Sequence, residues 1–130
     1  MFEFQLDPTS GVATYLQLVQ QVRQALRMGL LRPGDQLPTA REVVARLAIN
    51  PNTVLKAYRD LEREHLVAAR PGQGTFVVRA LDGPDPATFA RFAAQLSRWM
   101  SAAQAAGLGS EDIEAIYRMA IRDRFAEGVA

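Results

Sequence analysis

Apolar residues recur at intervals of three and four positions over the first quarter of the chain. Between about Ala13 and Gly29, and just beyond, they are Tyr15, Leu18, Val19, Val22, Leu26 and Leu30. This spacing places them on one face of an amphipathic helix. Before that helix, the alternation at residues 2–6 favours a strand, and residues 7–11 have the composition of a turn.

Capping residues predict the starts of two more helices. Thr39 is followed three residues later by Glu42, which is the spacing of a capping box. A short second helix therefore follows Thr39, with an inward face of Ala40, Val43, Val44 and Leu47. Asn50 and Pro51 provide an N-cap and a proline at the first helical position, so a third helix runs from there to about Glu64.

A β-hairpin is predicted directly after the third helix. Residues 66–69 and 75–78 form its strands, and residues 70–74 form a glycine-bearing loop between them. Helix, helix, turn, helix and hairpin is the order of a winged helix-turn-helix. Prolines and a glycine at residues 81–86 disfavour regular structure. We therefore predict a winged helix-turn-helix domain at 1–79 and a linker at 80–86.

The rest of the chain, residues 87–130, predicts a two-helix tail. The first helix covers about 86–106, begun by Asp85 and Pro86, and the second covers about 111–127, capped by Ser110. Their inward residues are Phe89, Phe92, Ala93, Leu96, Trp99, Met100 and Ala103, then Ile113, Ile116, Tyr117, Ala120 and Ile121. A pair of helices leaves one apolar side open, so it needs a partner.

We expect that partner to be the same helix pair of a second chain, although packing onto the chain's own first domain is the alternative. The fold class is then mainly α with a small β-hairpin, an N-terminal winged helix-turn-helix followed by a C-terminal two-helix dimerisation tail. A dimer of winged helix-turn-helix domains relates its two third helices by a two-fold axis. Such a pair reads an inverted repeat in DNA, with half-sites about one helical turn or a multiple apart. The tail offers little volume for a pocket of ~300 Å³ or more, so an effector would bind at the dimer interface or between the domains.

A helical wheel of the third helix separates its apolar residues from its polar ones. Val54, Ala57, Tyr58 and Leu61 gather on one side, and Asn52, Lys56, Arg59 and Arg63 gather on the other. A helix in the major groove needs donors in its first turns, and Asn52, Thr53 and Lys56 supply them. The alternative is that these cations only solvate a surface helix and are balanced by the neighbouring acids.

The composition and charge of the chain restrict the classes of protein to which it can belong. The 130 residues are 48% hydrophobic and 22% charged and contain no cysteine, which is typical of a folded, cytoplasmic protein without a membrane partner. Residues 1–79 carry ten Arg or Lys against seven acids, whereas residues 80–130 carry five against seven. This mild asymmetry agrees with a nucleic-acid surface in the first domain.

Catalytic chemistry finds little support in the residues. With one His and no Cys, the common nucleophilic triads and thiolate metal sites are excluded. The glycines near residue 73 lie between strands rather than before a helix, so they do not form a nucleotide-binding loop. We expect no enzyme activity, no metal and no cofactor.

Residues 15–77 resemble the DNA-binding domain of the GntR family of bacterial regulators. The similarity lies in LRPGDQLPTARE, INPNTVLKAYRDLE and GQGTFV. The Asn50–Val54 start and the short two-helix tail are similar to the YtrA subfamily. The resemblance implies a sequence-specific repressor that binds double-stranded operator DNA, in a subfamily often encoded with ABC transporter genes. A protein-interaction adaptor with the same fold is the alternative.

The resemblance also implies DNA contacts at particular positions. Arg41 stands where the family places a DNA-contacting arginine, although it can instead pair with an acid of its own domain. The recognition helix carries four further positions of this kind, namely Asn50, Asn52, Thr53 and Lys56. Arg59, on the polar side of the helical wheel, lies on the same helix. Gly74 is placed at the wing tip, where the backbone approaches the minor groove, although it can simply provide a positive φ.

Four residues depart from the family pattern. Ala48 occupies a turn position where glycine is frequent, and His65 occupies a helix end where glycine is usual. A left-handed His costs about 1 kcal/mol. Pro71 and Gln73 stand in a wing that is often more basic, so strong minor-groove contact by the loop is not expected.

Overall fold

The computed structural model describes residues 2–81 and 83–126. They form the helices α1 (Thr14–Arg27), α2 (Ala40–Leu47), α3 (Pro51–Arg63), α4 (Pro86–Ala105) and α5 (Ser110–Phe125), and the strands β1 (Val67–Arg70) and β2 (Gly74–Val77). This order confirms the predicted fold class, which is mainly α with a small β-hairpin and a C-terminal pair of helices, while dimerisation through that pair stays a prediction. Met1, Asp82 of the predicted linker, and residues 127–130, which include the predicted last residue of the second tail helix, lie outside the described residues.

The chain divides into two compact units. The first unit ends at Phe89 and the second begins at Ala90. The limits inferred from the sequence, a domain at 1–79, a linker at 80–86 and a tail at 87–130, stay a prediction.

The first unit encloses a continuous apolar core between α1, α2, α3 and the hairpin. The predicted stripe of α1 is buried in it, with Leu18, Val19, Val22 and Leu26 each at most 5% exposed. The predicted inward face of α3 is buried too, and Leu61 has no exposed surface. The core therefore holds α3 by one side and leaves its other side available.

The end of α1 differs from the sequence prediction. Gly29 adopts a φ of 74°, and the Leu30 N–H donates to the Ala25 carbonyl at 2.8 Å. The chain therefore leaves the helix before Leu30, whose side chain is 69% exposed, while Leu31 is buried at 4%. The prediction that Leu30 continues the apolar stripe is wrong because the left-handed glycine turns the chain.

Residues 2–6 form no strand, so that prediction is wrong. The Gln5 N–H donates to the Gln21 side-chain oxygen of α1 at 2.9 Å instead of pairing with another strand. Phe4, only 2% exposed, packs in the core with its ring 4.9 Å from that of Phe2. This segment thus covers the core as an irregular arm.

The predicted starts of α2 and α3 are confirmed. The Glu42 N–H donates to Thr39 Oγ1 at 3.1 Å, and the Thr39 N–H donates to Glu42 Oε1 at 3.2 Å. The Asn52 N–H donates to Asn50 Oδ1 at 2.8 Å, which makes Asn50 the N-cap of α3. Local sequence therefore determines where both helices of the helix-turn-helix begin.

The hairpin forms one residue closer to its tip than the sequence predicted. Its antiparallel register pairs Val67 with Val77 and Arg70 with Gly74, so the loop between the strands consists of residues 71–73. Leu66 lies outside β1 because its N–H still donates to the Leu61 carbonyl at the end of α3, at 3.1 Å.

The second unit contrasts with this closed core. Ala103 is the one described residue of that unit that is buried, at 8%. The larger apolar side chains of α4 and α5 stay exposed, namely Phe92, Leu96, Trp99, Tyr117, Met119, Ile121 and Phe125. The predicted inward faces are thus left largely uncovered by the two helices themselves.

Two details of the second unit correct the sequence analysis. Gly109, not Ser110, is the N-cap of α5, because the Gly109 carbonyl already accepts from the Ile113 N–H at 3.0 Å. An open groove of about 740 Å³ lies between α4 and α5, lined in part by Leu96, Met100 and Tyr117. The expectation that the tail lacks such volume is wrong, since the two helices leave their facing side chains uncovered.

Candidate nucleic-acid interface

The outward face of α3 carries the side chains that the helical wheel brought together. Asn52, Lys56 and Arg59 are exposed, while Val54 and Ala57 on the opposite side are fully buried. Thr53 is half-buried between the two faces. The helix therefore presents amide and cationic groups to the exterior and is held only by its apolar side.

Tyr58 connects α3 to the start of α2. Its hydroxyl donates to the Pro38 carbonyl, one residue before the Thr39 cap. Burial raises the pKa of the Tyr58 phenol, so the hydroxyl stays protonated and keeps donating at neutral pH. This bond helps to fix the angle between the two helices of the motif.

The turn between α2 and α3 passes through Ala48 with φ 55° and ψ 43°, a left-handed conformation. His65, after α3, has a φ of 62°, as its place at a helix end predicted. Residues other than glycine pay roughly 1–2 kcal/mol there. The fold thus accepts a strained backbone at two places, in the turn between α2 and α3 and directly after α3.

Lys56 is supported by an aromatic ring of α1. Its Nζ lies 3.8 Å from the centroid of the Tyr15 ring, which is a cation–π distance. The ammonium remains exposed, but its direction is restricted by this contact. The sequence predicts Tyr15 only as a member of the apolar stripe, because its pairing with Lys56 depends on how α1 crosses α3.

The other cations of the first unit differ in their pairing. Arg63 donates to Asp60 Oδ1 at 3.3 Å, so the surface-solvation alternative describes this residue. Arg59 of α3 and the exposed Arg41 in the first turn of α2 form no ion pair within residues 2–81 and 83–126. Both are exposed, so each presents a charge without an ion-pair partner among the described residues.

The end of α3 is tied to its neighbours by two arginines. Arg23 of α1 pairs with the Glu64 carboxylate. Arg79, just after the hairpin, donates to the Glu64 carbonyl at 2.8 Å. The cation of Arg79 is favourable at this carbonyl, because the last carbonyls of a helix carry the negative end of its dipole.

Asn50 and Gly74 have structural roles at their positions. The Asn50 side-chain oxygen is engaged in the cap of α3, whereas its amide nitrogen forms no bond to the residues described. Gly74 is the first residue of β2 and not part of the tip, contrary to the prediction. Its φ is 125°, and a Cβ there would lie 2.5 Å from Gln36 Nε2. The backbone conformation thus favours glycine at this position, and a larger residue would also displace the end of the Gln36 side chain.

No helix within residues 2–81 and 83–126 combines the length and hydropathy needed to cross a bilayer. The same residues contain no cluster of three or more His, Asp or Glu with a geometry for holding a metal ion.

The profile of the gntR family of bacterial regulatory proteins matches residues 14–77. The chain is 42% identical over 73 residues to the HTH-type transcriptional repressor YtrA of Bacillus subtilis, a match that covers 56% of each protein. It is 38% identical over 107 residues to an HTH-type transcriptional regulator of Mycobacterium tuberculosis, covering 82% of this chain and 84% of that protein. The relatives are regulators rather than enzymes.

A solved structure of a DNA complex is also similar. The AraR DNA-binding domain in complex with operator ORR3 is 26% identical, with a TM-score of 0.50, and the match covers 59% of this chain and 93% of that one. These matches agree with the resemblance found in the sequence.

Proposed function

The chain belongs to the GntR family of bacterial regulatory proteins, and from this premise we propose that it represses transcription by binding a palindromic operator as a homodimer. The site consists of α3 in the major groove, with Arg41 at its side. Asn52, Thr53 and Lys56 occupy the first turns of α3, where side chains reach base edges and phosphates. Asn50 and Arg59 extend this surface at either end.

The observation that carries the proposal is the exposed polar face of α3. Asn52, Lys56 and Arg59 are exposed, whereas the opposite face is buried. A protein-interaction adaptor would instead need a neutral or apolar face at this place. Cations without acidic partners favour binding to a polyanion such as DNA. When they neutralise its phosphates, condensed counterions are released from the DNA.

The exposed apolar faces of the second unit support the homodimer. Phe92 is 55% exposed, Trp99 is 40% exposed and Tyr117 is 50% exposed, which is unfavourable in water. A second copy of α4 and α5 covers such faces and fills the groove between them. A two-fold dimer then presents two copies of α3 to the two halves of an inverted repeat.

The regulated genes are also proposed from similarity. One relative, matched over 56% of its length, carries the name of a repressor. We extend that role to this chain, and we propose that its targets include an ABC transporter operon, as in the subfamily that it resembles. Such a regulator works in the cytoplasm, where the chromosome lies.

Gel-shift titration with the DNA upstream of the chain's own gene tests the proposal. A random duplex of equal length serves as competitor at moderate salt. We expect a preference for the upstream DNA, abolished when one half of its inverted repeat is scrambled. Equal affinity for both duplexes would refute operator recognition, and it would favour the adaptor.

Lys56→Ala sharpens this test. Affinity should fall about tenfold, and the slope of log K against log salt should flatten by about one unit for each subunit bound if the contact is to phosphate. Arg122→Ala removes one cation from α5 and serves as the matched control, for which slope and affinity should stay unchanged. Identical behaviour of the two variants would remove Lys56 from the interface.

A further inference from the structure

The wing contains a single ionisable residue. From Val67 to Val77 the sequence is VAARPGQGTFV, and Arg70 is its only charge. The residues of the tip are Pro71, Gly72 and Gln73, none of which carries a charge. Whatever electrostatic attraction the wing exerts on DNA therefore originates at the end of β1 rather than at the loop.

Arg70 has a defined support. Ala68 pairs with Phe76, and Arg70 pairs with Gly74, so Arg70 and Phe76 lie on the same face of the hairpin. The Arg70 Cζ lies 4.5 Å from the centroid of the Phe76 ring, a cation–π contact. The opposite face turns Val67 and Val77 into the core, each 1% exposed. The guanidinium of the exposed Arg70 thus lies over the Phe76 ring, on the face of the hairpin away from the core.

Gln36 fixes the loop next to this pair. Its Nε2 donates to the Gln73 carbonyl at 3.0 Å and occupies the space where Gly74 has no side chain. Gln36 also forms an isolated antiparallel bridge with Phe76. The strand that carries Phe76 is therefore held on both edges, by β1 and by the segment before α2.

We propose, resting on the operator binding proposed above, that Arg70 is the DNA-phosphate contact of the wing and that Phe76 is its positioning residue. A guanidinium donates to phosphate oxygens in a fixed fork geometry, and a side chain already stacked loses little entropy when it binds. Arg70 forms no ion pair within residues 2–81 and 83–126. Because it is stacked against the hairpin, it meets the backbone of the duplex rather than the base edges.

Arg70→Gln tests the contact in the full-length chain. Affinity should fall about tenfold and equally for operator variants that differ in base sequence under the wing, and the salt slope should flatten by about one unit per subunit. Arg70→Lys keeps the charge and should keep the slope. Arg122→Gln is the matched control, because it removes one exposed cation of α5, outside the wing.

Phe76→Leu tests the positioning role. The leucine keeps apolar bulk but removes the π face, so affinity should fall about threefold while the salt slope stays at its original value. The same change combined with Arg70→Gln should add no further loss. Circular dichroism and sedimentation of each variant confirm that the fold and oligomeric state are kept.

Three results would overturn the assignment. They are an unchanged affinity and slope in Arg70→Gln, a loss confined to particular base pairs, or an equal loss in Arg122→Gln. A wild-type chain without preference for any operator would refute the proposed function instead. The failure of the wing contact and the failure of operator binding are thus distinguished by the wild-type titration alone.

Discussion

The two units bury their apolar side chains to different degrees. In the first unit, Leu18, Leu61 and Leu66 have no exposed surface. In the second, Phe92 is 55% exposed and Trp99 is 40% exposed. The first unit thus completes its core from its own elements, whereas the second leaves large apolar side chains uncovered.

The difference follows from the number of layers that each unit contains. Three helices and a hairpin surround the first core on several sides, so each element covers another. Two helices have only one mutual contact and leave the remaining apolar surface in water. Substitutions in the first unit should therefore change its stability, and substitutions in the second should change assembly.

The largest effect is expected for Leu61→Ala in the core of the first unit. The cavity should lower the free energy of unfolding by about 3 kcal/mol, as measured by urea denaturation. Leu55→Ala on the same helix, where the side chain is 45% exposed, should cost about 0.5 kcal/mol or less. Equal losses would show that the two sides of α3 do not differ in packing.

Trp99→Ala should act on assembly instead. Removal of a large aromatic from the proposed interface should weaken dimerisation by about 2 kcal/mol, a rise of about 30-fold in Kd by sedimentation. The unfolding of the first unit should not change. Arg118→Gln is the control, since Arg118 pairs with Glu114 on its own helix at 2.7 Å.

An unchanged Kd together with a less stable first unit would reverse the comparison. It would mean that Trp99 packs against the chain's own first unit, which is the alternative left open by the sequence.

Asn50→Ala and Asn52→Ala separate stability from recognition within α3. Loss of the cap should cost about 1 kcal/mol of unfolding free energy in Asn50→Ala. Asn52→Ala should leave stability unchanged, because only its backbone N–H is used by the cap, and it should weaken operator binding. A gel shift beside a urea titration measures both quantities, and a stability loss in Asn52→Ala would contradict the division.

The smallest effects are gains at the left-handed residues. Ala48→Gly and His65→Gly should each raise the unfolding free energy by about 0.5 kcal/mol, since relief of strain exceeds the entropy that glycine adds to the unfolded chain. Ala45→Gly, inside α2, should instead lower it by about 1 kcal/mol. Thermal unfolding of the three variants gives the sign, and a loss at Ala48 would contradict its strained geometry.

Helix starts and the polar face of α3 could be predicted from the sequence. Thr39, Glu42 and Asn50 act within three residues of their own positions, so their capping bonds require no knowledge of the fold. The strand expected at residues 2–6 failed because its backbone partners lie on α1. Alternation predicts an extended segment but does not identify the groups that satisfy it.

The long-range contacts of the candidate site could not be predicted from the sequence. Tyr15 supports Lys56, Gln36 occupies the space beside Gly74, and Phe76 supports Arg70. The sequence shows that Arg70 is the one charged residue between Val67 and Val77, but it does not show what supports that charge.

The sequence by itself determined which segments are helical and which face of α3 is polar. Hydrophobic periodicity, helix caps and glycines act on neighbouring residues, so their effects can be predicted from the sequence alone. The tertiary structure decided which side chains support the cations and which apolar faces remain uncovered, because these properties depend on how separate elements cross. The polar face of residues 50–59 is thus determined by the sequence, but its orientation is set by packing against α1, α2 and the hairpin.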